Sequence, residues 1–269
     1  MNLITSKTNS NIKDLIRIRD DSKFRNDKSL FYVEGERIFK DSPKNLVKKI
    51  FVLEDKIDYF KNILSKFDDS IIYSVSPNVF ENIKSTVNSQ GIIALIEYNL
   101  MKSLDENFCK RIKNCIILDS INDPGNLGTI IRLAEASSID LIILANNCCN
   151  VYNTKTIRAS MSSIFRTNIY ISNNILDDLR LLKKCGFKIF ATNINANSYD
   201  YYKLDFKDKN VIIFGNEANG VSNELLNESE DYIKIPMNGN IESLNVAISV
   251  AVICYEIMRQ NLSYETKSK

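Results

Sequence analysis

Apolar positions follow two different rhythms along the chain. In the first third, strand-like runs alternate with helix-like stretches. The pattern predicts a helix over 12–19, a strand over 30–33, a helix after Gly35, a strand over 50–53 and a helix over 57–67. A strand over 71–75, a short helix over 77–83 and a strand over 91–97 complete a small α/β layer. From residue 114 the rhythm becomes regular, with apolar strands over 115–118, 141–144, 189–192, 211–214 and 232–235 separated by helical segments. These runs are continuous and β-branched rather than alternating, as expected of a parallel sheet covered on both faces. A last helix over 244–260 is apolar around much of its circumference, which predicts burial within its own domain or in a subunit interface. The polar stretch YNLMKSLDENFCKR, 98–111, marks the boundary. The expected organisation is therefore an α/β domain over 1–98, a linker over 99–112 and a parallel-sheet α/β domain over 113–269.

Length agrees with that division, since 269 residues exceed the usual single domain. No apolar run is long enough to span a bilayer and the amino terminus lacks a signal-peptide core, so the expected location is cytoplasmic, away from any membrane. Six cysteines form no C-x-x-C pair or spaced ligand set, and they are expected to be reduced core residues with no metal. The chain contains no histidine, which excludes a Ser-His-Asp triad, a zinc-histidine site and an imidazole proton shuttle. A net charge of +2 does not by itself announce a polyanionic partner. The opening helix, with Lys13, Arg17, Arg19, Lys23 and Arg25, either faces phosphate or is a solvated amphipathic helix.

In an open parallel sheet ligands bind beyond the carboxyl ends of the strands, which directs attention to three loops. They are DSINDPGNLGTIIRLAEAS over 119–137, FGNEANGVSNELL over 214–226 and IPMNGNIESLNVAISVAV over 235–252. In the first, Asn126 is a good N-cap for a helix from Leu127, and Arg132 lies within that helix as an exposed helix former or a site residue. In the second, Gly215 and Gly220 have P-loop spacing, but Val221 stands where the motif requires lysine, so nucleotide-triphosphate chemistry is not expected. Glu217 is there either a helix-start carboxylate or a site residue. In the third, Ser243 suits the cap of the long helix, with Asn245 in its first turn. Each polar cluster follows a strand, so all three are expected to crowd one edge of the sheet into a concave site.

DPGNLGTIIR, FGNEANGVS and IPMNGNIESLNVAISVAV, in this order and spacing, closely resemble the three motifs of the SpoU/TrmH family of the SPOUT superfamily. TIRASMSSIFR, 156–166, is also similar to the family pattern, and the likeness covers about 114–260. The amino-terminal part, with YVEGER at 32–37, resembles the substrate-binding domain that many members carry. The resemblance implies a SPOUT-type trefoil knot in the second domain, a homodimer, and methyl transfer from S-adenosylmethionine to a ribose 2′-hydroxyl of structured RNA. Ribosomal RNA is preferred over transfer RNA. Carried over by position, it implies catalytic roles for Asn126, Arg132, Glu217, Ser243 and Asn245. It implies cofactor contacts at Gly215, Ile235 and Leu244, with Thr192, Asn193, Met237 and Asn238 beside them. A transfer-RNA enzyme and a catalytically silent RNA-binding protein of the same fold are the alternatives.

Overall fold

The structure is a computed structural model that describes residues 2–145, 147–194, 197–241 and 243–265. The chain divides into two units, one formed by Met1–Asn99 with Asn150–Phe165 and the other by Leu100–Cys149 with Arg166–Lys269.

In the first unit the elements run β1 (Asn2–Ile4), α1 (Ser10–Asp20), α2 (Ser22–Lys28), β2 (Leu30–Glu34), α3 (Glu36–Asp41), β3 (Val47–Leu53), α4 (Ile57–Leu64), β4 (Ile72–Val75), α5 (Pro77–Ile83) and β5 (Ile92–Glu97). The sheet order is β1-β4-β3-β5-β2, with β1, β4 and β3 parallel and β5 antiparallel to both its neighbours. Asn9 caps α1 by accepting from the Asn11 amide, and Ile12, Leu15 and Ile18 at three-residue spacing face a core shared with Phe51, Val79 and Leu95. The basic opening is more structural than its composition suggests. Arg25 is buried and donates to the carbonyls of Ile18 and Arg19, while Arg19 donates to those of Asn82, Ile83 and Lys84. Arg17 lies 3.7 Å above the Phe24 ring.

The second unit begins before its first strand. The expected linker holds α6 (Glu106–Arg111), capped by Asp105, whose Oδ1 accepts from the Phe108 amide at 2.8 Å. Leu104, Phe108 and Ile112, four residues apart, pack with Cys109 into the second core. The linker expectation therefore gives way to a short helix that covers the sheet. Then follow β6 (Asn114–Leu118), α7 (Pro124–Ala136), β7 (Leu141–Leu144), α8 (Thr154–Ser160), which belongs to the first unit, and then β8 (Ile169–Ile171), α9 (Ile175–Lys184), β9 (Lys188–Thr192), β10 (Tyr199–Asp200), β11 (Asn210–Phe214), α10 (Asn223–Glu228), β12 (Asp231–Lys234) and α11 (Val246–Glu265). Seven strands in the order β10-β12-β9-β11-β6-β7-β8 pair in parallel throughout, as the continuous apolar runs predict. Helix α11 packs on α7 and is buried along Val250, Ile253 and Ile257. Among the described residues, no helix is long and apolar enough to cross a membrane. Cys109, Cys115 and Cys254 are buried free thiols, whereas Cys148, Cys149 and Cys185 are only partly covered, so the core reading holds for half of the cysteines.

Residues 150–165, expected in the second domain, cluster with the first unit, and the reason is an aromatic stack. Tyr152 lies between Phe31 and Tyr98, with ring centroids 4.4 and 3.9 Å away. Its hydroxyl accepts from the Asn99 amide at 2.8 Å and pairs with Asn99 Oδ1 at 3.0 Å. Helix α8 follows directly and packs against β2. Nearby, burial pushes the Tyr32 hydroxyl up as it donates to Glu34. Burial also pushes the Glu34 carboxyl up, but hydrogen bonds from Ser85, Ser89 and Thr86 together outweigh it and hold Glu34 below the ordinary glutamate value. Because Tyr152 is almost fully buried, Tyr152→Ala should lower the unfolding free energy by about 3–5 kcal/mol, the range for emptying an aromatic core position. Tyr152→Phe, which removes only the hydroxyl, should cost about 1 kcal/mol in the same urea titrations.

Candidate functional site

Because the strands of the second unit run the same way, the loops after β6, β9, β11 and β12 all emerge at one edge of the sheet. There the loops after β9, β11 and β12, with the start of α11, enclose a cavity of about 510 Å³, within the range of small-molecule sites, and the loop after β6 adjoins it.

After β6, Asp119 is buried and its Oδ2 accepts from the Ser222 amide at 2.8 Å, tying the first loop to the second. Helix α7 opens with Pro124 and is capped by Asp123, which accepts from the Asn126 amide at 2.8 Å. Asn126 is therefore not the N-cap, and its side chain is left for other partners. Its Nδ2 donates to Glu217 Oε1 at 2.8 Å, and its Oδ1 accepts from Asn245 Nδ2 at 3.0 Å.

The second loop doubles back so tightly that a Cβ on Gly215 would lie 2.0 Å from the Gly220 carbonyl carbon. No side chain fits there. Gly220, at φ 68°, donates its amide to the Asn216 carbonyl at 2.8 Å and completes the turn. Asn216 holds the loop from within, since its Oδ1 accepts from the Ala218 amide and its Nδ2 donates to the Ser120 carbonyl at 3.1 Å. That geometry sets Glu217 against the start of α11, where Oε1 also accepts from the Val246 amide at 3.4 Å. Glu217 is indeed a helix-start carboxylate, serving the long helix rather than the one that follows it in sequence.

Ser243 does not cap α11. Asn245 immediately precedes the helix, and its Oδ1 accepts from the Ala247 amide at 3.0 Å while its carbonyl accepts from Ser249. One hydrogen-bonded chain, Asn245 to Asn126 to Glu217, thus joins all three loops.

Of the residues expected to hold a cofactor, Gly215, Ile235, Leu244, Thr192, Asn193 and Met237 line the cavity. Asn238 is exposed in the loop after β12 and is not among the lining residues. Glu217 and Ser243 line it as well, and Asn126 and Asn245 reach it through Glu217. Arg132 does not join them within the chain. It lies six residues beyond Asn126 on α7, about 9 Å along the axis and on a different face, where it is exposed and pairs with no described residue. Motif reading also missed Asn216, Ile194 and Lys234 on the walls and Asp119 behind them. Asp119 carried a signal, an acidic residue at the end of an apolar strand.

Glu217 is the one carboxylate among the described lining residues, and its Oε1 already accepts from the Asn126 side chain and the Val246 amide. Burial pushes the Cys148 thiol up to about 11 and Cys254 up to about 12, so both stay protonated at neutral pH. Among the described residues no group of histidine, cysteine or carboxylate side chains is arranged to hold a metal ion.

Residues 113–255 match the SpoU rRNA Methylase family. The chain is 28% identical over 260 residues to the 23S rRNA (guanosine(2553)-2′-O)-methyltransferase RlmP of Bacillus subtilis, covering 96% of this chain and 99% of that one. An uncharacterized tRNA/rRNA methyltransferase of Borreliella burgdorferi is 31% identical, over 78% of this chain and 97% of its own. Among solved structures, an AdoMet-bound rRNA methyltransferase from Sinorhizobium meliloti superimposes with a TM-score of 0.84 at 28% identity, covering 96% of this chain and 97% of that one. With the parallel sheet, the three joined loops and these likenesses in agreement, the chain belongs to the SpoU rRNA Methylase family of RNA methyltransferases.

Proposed function

We propose that the protein transfers a methyl group from S-adenosylmethionine to a ribose 2′-hydroxyl in ribosomal RNA. The observation that carries this reading is the hydrogen-bonded chain from Asn245 through Asn126 to Glu217 at the edge of the 510 Å³ cavity. The likeness to the Bacillus subtilis enzyme over nearly the whole of both chains supports ribosomal RNA as the substrate.

The cavity fits the cofactor. Gly215 lets the loop after β11 fold back on itself at the wall, and Thr192, Asn193 and Ile235 lie beside the apolar Met237 and Leu244. When bound there, S-adenosylmethionine supplies a methyl carbon on a sulfonium, whose carbon–sulfur bond breaks with its electron pair left on sulfur as the ribose oxygen bonds to that carbon. Glu217 acts as a positioning residue, because its Oε1 is already engaged by Asn126 and Val246. Asn126, Ser243 and Asn245 orient the loops and the substrate. The Arg132 guanidinium stabilises the developing alkoxide and an adjacent phosphate, and the hydroxyl proton leaves to water or that phosphate.

Arg132 and the cavity come together in this reading through a homodimer. Ile248, Tyr255 and Leu262 are 53%, 48% and 54% exposed and recur every seven residues along α11, a seam that suits a second copy. The trefoil knot belongs to the same reading and is supported by the match of residues 113–255 to the family.

Mapping 2′-O-methyl groups in total RNA should show one ribosomal position methylated in cells making the wild-type chain and unmethylated with Arg132→Ala. The variant should keep cofactor affinity by calorimetry, and near-normal turnover would remove the role given to Arg132. Gly215→Ala should weaken S-adenosylmethionine binding at least about tenfold, because the loop must open to admit the methyl group. Light scattering should find a dimer that Ile248→Glu with Tyr255→Glu converts to an inactive monomer. Mixed Arg132→Ala and Glu217→Ala dimers should recover activity that neither homodimer has, and no recovery would place Arg132 in its own chain's site.

A further inference from the structure

The first unit contains a cavity of its own, about 150 Å³, bounded by the end of β2, α3 and the 154–162 segment. Its inner wall is apolar, with Tyr32, Ile38 and Ile157 buried and Met161 partly so. A cavity of this size takes up a single aromatic ring. At the exposed edge lie two guanidinium groups, Arg37 and Arg158, neither paired with any described residue. The one carboxylate on the wall, Glu34, makes no ion pair with either. Its oxygens already accept from the Tyr32 and Thr86 hydroxyls and from the amide and hydroxyl of Ser85.

Two further features single out this place. Ser162 is 3% exposed and its Oγ has no hydrogen-bond partner, although it lines the cavity. A buried hydroxyl without a partner is costly and calls for one from outside the fold. The residue before it, Met161, is held at φ 53° and ψ −134°, a conformation that side chains other than glycine avoid. Strain and an orphaned hydroxyl, adjacent in sequence, thus meet two unpaired cations around a ring-sized apolar slot.

We infer that this cavity binds one unstacked nucleotide of single-stranded RNA, its base between Tyr32, Ile157 and Met161 and its phosphate on Arg37 and Arg158. Ser162 Oγ hydrogen-bonds the polar edge of the base. Single-stranded RNA fits because only an unstacked base presents its ring and edge together, and arginine pairs with phosphate through two parallel donors. A duplex cannot enter, since its bases remain in the stack. The inference shares the RNA substrate of the proposed function, but it needs no methyl transfer.

The test titrates the full chain into a fluorescein-labelled single-stranded RNA hexamer and into the same hexamer in duplex form, read by anisotropy. The wild-type chain should prefer the single strand about tenfold or more, and Arg37→Ala and Arg158→Ala should each weaken it by about tenfold. Both arginines are exposed and unpaired, so the variants should melt like wild type and bind S-adenosylmethionine unchanged. Ser162→Ala should weaken the hexamer several-fold without lowering the melting temperature, because the hydroxyl it removes has no partner in the fold. Equal affinity for both RNA forms, or arginine variants that bind the hexamer like wild type, would overturn the site. If methylation proceeds and these variants bind normally, the nucleotide site fails while methyl transfer stands; if hexamer binding is lost in them and wild type transfers no methyl group, the reverse holds.

Discussion

One carboxylate oxygen, Glu217 Oε1, holds the architecture of the second unit's cavity. It accepts from Asn126 Nδ2, at the start of α7, and from the Val246 amide, at the start of α11, while Glu217 itself stands in the loop after β11. Three segments, 91 and 29 residues apart along the chain, are thereby fixed to one atom. An oxygen so placed also satisfies an amide that the first turn of α11 leaves without an intrahelical partner. The constraint upstream of it is steric. Glu217 reaches both partners because the loop before it folds onto itself at Gly215, where no Cβ is tolerated.

The rest of the site follows from that tie. Asp119 pins the second loop from behind through the Ser222 amide, and Asn216 pins it to the first through the Ser120 carbonyl. The 215–222 segment of the cavity wall is consequently fixed by side-chain hydrogen bonds to the loop after β6. A cofactor recognised by such a frame meets donors and acceptors that need little reorganisation, the condition under which hydrogen bonds contribute most to a transition state. The first unit is organised on another principle, aromatic packing. Tyr152, carried by a segment distant in sequence, stacks between Phe31 and Tyr98 and brings α8 to β2, which in turn creates the small cavity edged by Arg37 and Arg158.

Much of this was legible along the chain. Continuous apolar runs gave the parallel strands within a residue or two, since a strand buried on both faces tolerates few polar residues. Elements of two or three residues, β1, β8 and β10, left no periodic trace because they are shorter than a pattern needs. The cap of α7 was legible and was passed over: in DPGN the proline takes the first helical position, which makes Asp123 the cap and leaves Asn126 free. The linker expectation failed for a related reason. YNLMKSLDENFCKR is polar in composition, yet its few apolar residues fall four apart and suffice for one helical face.

Sequence alone determined the fold class, the absence of imidazole chemistry and the family, because strand burial, residue types and motif order are local properties of the chain. Tertiary structure decided which of the motif residues meet. Asn126, Glu217 and Asn245 share hydrogen bonds, whereas Arg132, on the same helix as Asn126, turns to another face. It also decided that residues 150–165 belong with the first unit. Hydrogen bonds and aromatic stacking act over a few ångströms between residues a hundred positions apart, and no spacing along the chain encodes that proximity.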